Sequence, residues 1–226
     1  SGHAPLPAPK VDFSLVVKNV KAQDQYIDNV DLEFSGTQEA HQLTLGVLSD
    51  LVSTSLKVVG GLTDKTEMVW QGELQRAEIT SEQGTWTLAD KAALGFNMAT
   101  NLASVQAHCW NQQDASLCLT KDLSAGESGE ANIAIKQFNF EQVKRFVPQE
   151  TDLQGEVNAT AWASWAPNAK PELKVSVSLP EGQVTQSLDA PVTLGWSNIT
   201  LDAELENDNL RSRWSLDLDE KRENGE

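Results

Sequence analysis

Leu173, Val175, Val177 and Leu179 occupy every second position of one segment, and Pro171 and Pro180 bound it on either side. Period two is the repeat of a β-strand, whose successive side chains point to opposite faces, so such a segment buries one face and wets the other. The alternation recurs along the chain. It is seen in Val11, Phe13, Leu15 and Val17, in Leu43, Leu45 and Val47, and in Met68, Trp70 and Leu74. Trp86 with Leu88, and Leu94 with Phe96 and Met98, continue it, as do Val157, Ala159, Ala161, Ala163 and Trp165, and finally Trp214, Leu216 and Leu218. Proline cannot donate to a ladder, and residues 10 to 147 contain none. Many consecutive paired strands fit there. Between Leu194 and Trp196 on one side and Ile199, Leu201, Ala203 and Leu205 on the other, the apolar positions change parity. One extra residue near Ser197-Asn198 would restore the face, which is what a β-bulge does.

The charge balance narrows the partners. Thirty-three acidic against seventeen basic residues leave a net charge of -16, and a nucleic-acid binder needs clustered Lys and Arg for its phosphate contacts. Hydrophobic residues make up 39 % of the chain, as one-face-in, one-face-out strands require. Nowhere do they approach the roughly 20 consecutive apolar residues of a membrane span. Ser1-Gly2-His3-Ala4 reads as the remnant of a cleaved tag, and residues 1–10 as that remnant with a Pro-rich lead. Residues 11–219 then form a single elongated β-domain excised from a larger protein, and residues 220–226 a charged tail.

Cys109 and Cys118 flank the polar run Asn111-Gln112-Gln113-Asp114-Ala115-Ser116. The segment reads as a hairpin with one Cys on each arm, where cross-strand Cβ separations suit a disulfide. Closing so short a loop contributes roughly 2.5 to 3 kcal/mol in the chain-entropy account. A metal site built on His108, Cys109 and Cys118 would lack a fourth ligand. Two free thiols are the remaining reading. The disulfide is preferred, and it points to an oxidising compartment. One segment departs from period two: Phe140, Val143 and Val147 recur at helical spacing, with Asn139 as cap, Gln142 in the capping-box position and Pro148 as the stop. A helix of about two turns is expected there, plugging one end of the sheet.

No catalytic constellation emerges. His3 lies in the tag remnant, His41 stands alone and His108 precedes Cys109, so no nucleophile, base and orienter come together. Gly60-Gly61 is a turn signal, and no pattern of carboxylates suggests calcium. The chain is read as a non-enzyme without metal or cofactor. Only one short helix is available to cover a large apolar sheet face. The sheet must therefore fold on itself, form a closed β-sandwich, or hold something apolar.

Several segments resemble the TamB family, in its C-terminal region. They are Met68-Val69-Trp70-Gln71-Gly72-Glu73-Leu74, Gly84-Thr85-Trp86-Thr87-Leu88, His108-Cys109-Trp110 with Leu117-Cys118-Leu119, and Phe146-Val147-Pro148. Ala161-Trp162-Ala163-Ser164-Trp165, Val184-Thr185-Gln186 and Leu201-Asp202-Ala203-Glu204-Leu205-Glu206-Asn207-Asp208 extend the likeness to roughly residues 66 to 219. Lys221-Arg222 departs from the family pattern. The family is the inner-membrane-anchored subunit of the translocation and assembly module of Gram-negative bacteria, within the AsmA-like, bridge-like lipid-transfer proteins. The resemblance implies an all-β fold: a long antiparallel sheet curled into an open trough (a β-taco) with an apolar interior, standing in the periplasm. It implies transport of phospholipid between inner and outer membranes, with acyl chains as ligand. The lining would be Val157, Ala159, Ala161, Ala163, Leu173, Val175, Val177, Leu179, Leu194, Trp196, Leu201, Ala203, Leu205, Trp214, Leu216 and Leu218. It further implies an outer-membrane barrel partner, TamA, in autotransporter biogenesis. The alternative role is a chaperone or docking module that pairs a strand of an outer-membrane protein client at an open sheet edge.

Overall fold

In the computed structural model of the chain, the described residues are 9–22, 25–140, 142, 144, 147–187 and 191–218. They form seventeen β-strands and no helix. The first nine are β1 (Val11–Ala22), β2 (Gln25–Gly36), β3 (His41–Ser49), β4 (Val52–Asp64), β5 (Val69–Ser81), β6 (Gly84–Leu88), β7 (Ala92–Asn97), β8 (Leu102–Val105) and β9 (His108–Gln112). The rest are β10 (Ala115–Leu119), β11 (Leu123–Ala125), β12 (Gly129–Asn139), β13 (Thr151–Trp165), β14 (Glu172–Leu179), β15 (Gly182–Gln186), β16 (Val192–Glu206) and β17 (Asn209–Leu218). Of the helix expected over Asn139–Val147, residues 141, 143, 145 and 146 lie outside the described residues, and its expected cap, Asn139, is the last residue of β12.

The chain divides into two units, one of residues 1–110 with 122–127 and one of residues 111–121 with 128–226. In the first, β1 to β5 pair antiparallel in sequence order. The two halves of β5 then pair with different strands, Glu78–Ser81 with β6 and Val69–Leu74 with β7. β7 continues to β8, and β8 to β11. In the second unit β10, β12 and β13 pair in turn. Here β14 and β15 share one position, because both lie between β13 and β16. β17 closes the series against β16. The link between those last two strands is the two-residue turn Asn207-Asp208, with φ of 50° and 63°. Two successive positive φ values are the type I′ signature that matches strand twist.

The parity change has the cause its position suggests. The register of β16 on β17 slips between Trp196 and Asn198, leaving Ser197 as the extra residue. On the other side β16 keeps one register through β14 and β15, with Leu179 opposite Ile199 and Gly182 opposite Trp196. The apolar parity therefore switches in both strands at the same level, across Pro180-Glu181. Both cysteines are disulfide-bonded.

The closed core is small. In the first unit Leu74, Ala77, Leu88 and Ala92 form a buried cluster, with Leu56, Val58, Leu94 and Trp110 against it. In the second unit the buried hydrophobic residues among those described are Ala115, Ala134 and Trp196. Tryptophans compensate locally by lying on glycines of neighbouring strands, which satisfies a strand position that has no side chain of its own to pack. A Cβ on Gly182 would sit 2.3 Å from the Trp196 ring, and one on Gly129 would sit 2.4 Å from that of Trp165.

Candidate functional site: an apolar sheet face

The registers of the second unit assemble apolar rows that run from strand to strand. One row is Leu117, Ile135, Ala159, Val177, Leu201 and Trp214. The next is Leu119, Ile133, Ala161, Val175, Ala203 and Ser212. Ala131, Ala163, Leu173, Leu205 and Leu210 form a third. Beyond them Leu179, Ile199 and Leu216 align, and past the bulge so do Gly182, Trp196 and Leu218, then Leu153, Val184 and Leu194. Val157 enters this face opposite Phe138, after a bulge between Ile135 and Phe138 re-aims β12. All sixteen residues expected in the lining thus share one face of one unit. Alternation within each strand sets the face, and the antiparallel registers join the strands.

This face is open to solvent over much of its area. Trp214 is 71 % exposed, and Leu194, Leu216 and Leu218 are 45 %, 42 % and 46 % exposed. Leu173 and Leu201 are also exposed, and the alanines and valines between them half-buried. Trp196 is the exception at 4 %. It sits on Gly182, and Phe140 meets it edge-on with ring centroids 6.5 Å apart. Its indole N–H, buried there, has no hydrogen-bond acceptor.

The opposite face is polar row by row. Asn132, Trp162, Lys174, Glu204 and Arg211 follow one another across five strands. Lys174 bonds Glu204 at 3.1 Å and lies 5.5 Å from the centre of the Trp162 ring. The Glu204 carboxylate holds the Lys174 ammonium above its ordinary pKa. Glu130, accepting hydrogen bonds from Asn132 and Trp162, is held below its own. Next to this row stand Thr160, Ser176, Asp202 and Arg213, with Ser176 donating to Asp202 at 2.5 Å. A shallow concavity of about 440 Å³ lies on this side, edged by Asn158, Thr160, Ser176, Ser178, Thr200 and Asp202. The Ser176 hydroxyl and the Asp202 carboxylate that accepts its hydrogen bond both belong to this edge.

The first unit repeats the arrangement. Leu15, Leu32, Leu45, Leu56 and Ala77 form one row, and Phe13, Phe34, Leu43, Val58, Leu74 and Ala92 another. Ile133 and Ile135 of β12, and most of this first-unit face, were not among the expected lining residues. Their alternation is visible in sequence, but membership of one face follows from register. Among the described residues no group of three or more His, Cys, Asp or Glu could hold a metal ion. No helix among them is long and apolar enough to cross a membrane.

With this geometry in hand, comparison with known proteins is specific. The family model described as TamB, N-terminal domain, matches residues 2–224. The chain belongs to the TamB family. A curated TamB relative, the translocation and assembly module subunit TamB of Haemophilus influenzae, is 25 % identical over 199 residues, which cover 85 % of this chain. The chain spans 15 % of that relative's length. No solved structure matches. The matched TamB domain is described as N-terminal, whereas the quoted motifs pointed to the C-terminal region; the match over nearly the whole chain decides for the former.

Proposed function

We propose that this chain is one segment of a hydrophobic groove that passes phospholipid between inner and outer membranes, as part of the translocation and assembly module. The supporting observation is the continuous apolar face of the second unit, left open where a folded domain would close it. Exposed apolar area costs about 25 cal/mol per Å² relative to its burial, and contiguous exposed patches mark ligand or partner sites. Acyl chains laid along the rows would cover it. Strands stand about 4.8 Å apart, so six span roughly 24 Å, more than the acyl layer of one leaflet at about 15 Å. Headgroups would stay in water, and the polar face with its excess of carboxylates would form a soluble outer wall. The segment performs no catalysis and needs no cofactor. It works in the periplasm, within a full-length protein anchored in the inner membrane and joined to the outer-membrane barrel TamA.

A second reading has its own observation. Every residue of β17 is exposed, and among the described residues β17 pairs with β16 alone. A client strand of an outer-membrane protein could add there by main-chain pairing. One experiment separates the two. Leu179→Arg places a charge between Val177 and the bulge, on the apolar face, where an unpaired charge is costly to any apolar cargo. In the full-length protein this variant is expected to block phospholipid passage while leaving partner binding at the sheet edge intact. Glutamates along β17 are expected to do the reverse if edge pairing is the role. Normal lipid passage in a folded Leu179→Arg protein would contradict the conduit.

A further inference from the structure

In the first unit one row of the apolar face is built differently from the rest. Gly36, His41, Gly60 and Gly72 stand in line, followed by Leu94, Val105 and Leu123. His41 is the ionisable member of this row. Both of its ring nitrogens are engaged. Nδ1 lies 3.0 Å from the Thr37 carbonyl oxygen, which can only accept, so Nδ1 carries the proton. Nε2 then accepts from the Trp70 indole N–H at 2.9 Å, since that N–H can only donate. These two bonds select one tautomer of the imidazole, whose centroid lies 5.1 Å from that of the tilted Phe34 ring and 6.3 Å from that of Trp70.

The Trp70 ring in turn is seated on two bare backbones. A Cβ on Gly72 would lie 2.3 Å from it, and one on Gly60 2.4 Å. A single hydrogen bond to His41 orients the polar end of this large ring. The charges around it are committed elsewhere. Glu39, in the loop before β3, pairs with Lys65. Asp12 of β1 takes Ser35 and Lys10. Glu73 of β5 pairs with Lys91 at 3.3 Å on the other face, and Asp64 at the end of β4 accepts the amides of Thr66 and Glu67. Among the described residues, the partner bonded to Nε2 is the Trp70 indole and not a carboxylate.

We propose that His41 and Trp70 form an acid-sensitive latch on the apolar face: a solvent proton taken up at Nε2 removes the acceptor for the Trp70 indole N–H and frees the ring from Gly60 and Gly72. The bond from Nδ1 to Thr37 survives, so the imidazole stays in place as a cation while the indole loses its anchor. Histidine is the side chain whose charge ordinarily changes between about pH 5 and 8. The result is a charge and a displaced aromatic ring within an otherwise apolar row. This holds whether or not the face carries lipid, and its test involves none.

The 226-residue chain, labelled with ¹⁵N at tryptophan and histidine, is titrated from pH 8 to 5 by NMR, with Trp70→Phe and His41→Gln identifying the two signals. The Trp70 indole resonance is expected to lose its hydrogen-bonded shift with the same midpoint at which His41 gains its proton. In His41→Gln, whose side-chain oxygen can accept the same bond, the Trp70 signal is expected to stay constant over the range. A Trp70 resonance that does not follow His41, a His41 that takes up no proton down to pH 5, or an equal change in His41→Gln overturns the latch. Circular dichroism on the same samples separates this local change from unfolding.

Discussion

Trp196→Ala is expected to destabilise the second unit by about 3 kcal/mol, at the low end of the range for removing a buried tryptophan, whereas Trp214→Ala changes stability by no more than about 0.5 kcal/mol. The two share a face and a residue type and differ in what touches them. Trp196 is 4 % exposed, lies on Gly182 and meets Phe140. Trp214 is 71 % exposed on a strand with a single neighbour among the described residues. Trp196→Phe is expected to cost far less than the alanine variant. It keeps an aromatic ring over Gly182 and removes a buried N–H without an acceptor, a group whose burial costs about 1–3 kcal/mol. Urea midpoints followed by circular dichroism read all three. Equal losses for the two alanine variants would contradict this division of the face into a packed end and an open stretch.

Gly61→Ala is the second large effect. A Cβ there would come within 1.8 Å of the Glu39 carbonyl oxygen and 2.9 Å of the Ala40 amide nitrogen. Both belong to the loop of residues 37–40, which Leu62 holds through its amide to the Gln38 carbonyl at 2.9 Å. One methyl group therefore forces the loop off the strand and breaks that bond. The expected loss is about 3 kcal/mol, at the upper end of ordinary overpacking. Gly46→Ala is the control. Its Cβ would meet nothing closer than 3.9 Å, and in a strand interior alanine is expected to gain about 0.5 kcal/mol over glycine. The same measurement of unfolding midpoints decides both, and a neutral Gly61→Ala would show that the loop does not pack on β4 as described.

The strands were legible because their signal is local. Leu173 to Leu179 alternates strictly between two prolines, and period two with proline boundaries needs no knowledge of neighbours. The bulge at Ser197 was legible for the same reason, as a slip in parity within one strand. What was not legible depends on register. Trp196 satisfies the alternation as well as Leu201 does, yet it is sealed by Gly182, a residue fourteen positions earlier that faces it only because β15 and β16 pair as they do. Similarly, Gly60-Gly61 reads as a turn in sequence, but both residues lie within β4, one beneath Trp70 and the other beneath the 37–40 loop. The openness of the apolar face is also nonlocal. Alternation predicts a face that should be covered, and only the assembled strands show that no second layer among the described residues of the same unit covers Trp214, Leu216 and Leu218.

The most direct test of the proposed groove places a photoreactive residue at Val175 or Leu201, on the apolar face, and at Ser176 or Asp202, their neighbours on the polar face, in the full-length protein in cells. Mass spectrometry of the irradiated protein then counts phospholipid adducts at each position. A groove that carries acyl chains predicts adducts at Val175 and Leu201 and few at Ser176 and Asp202. Equal capture on the two faces, or none on the apolar one, would contradict it.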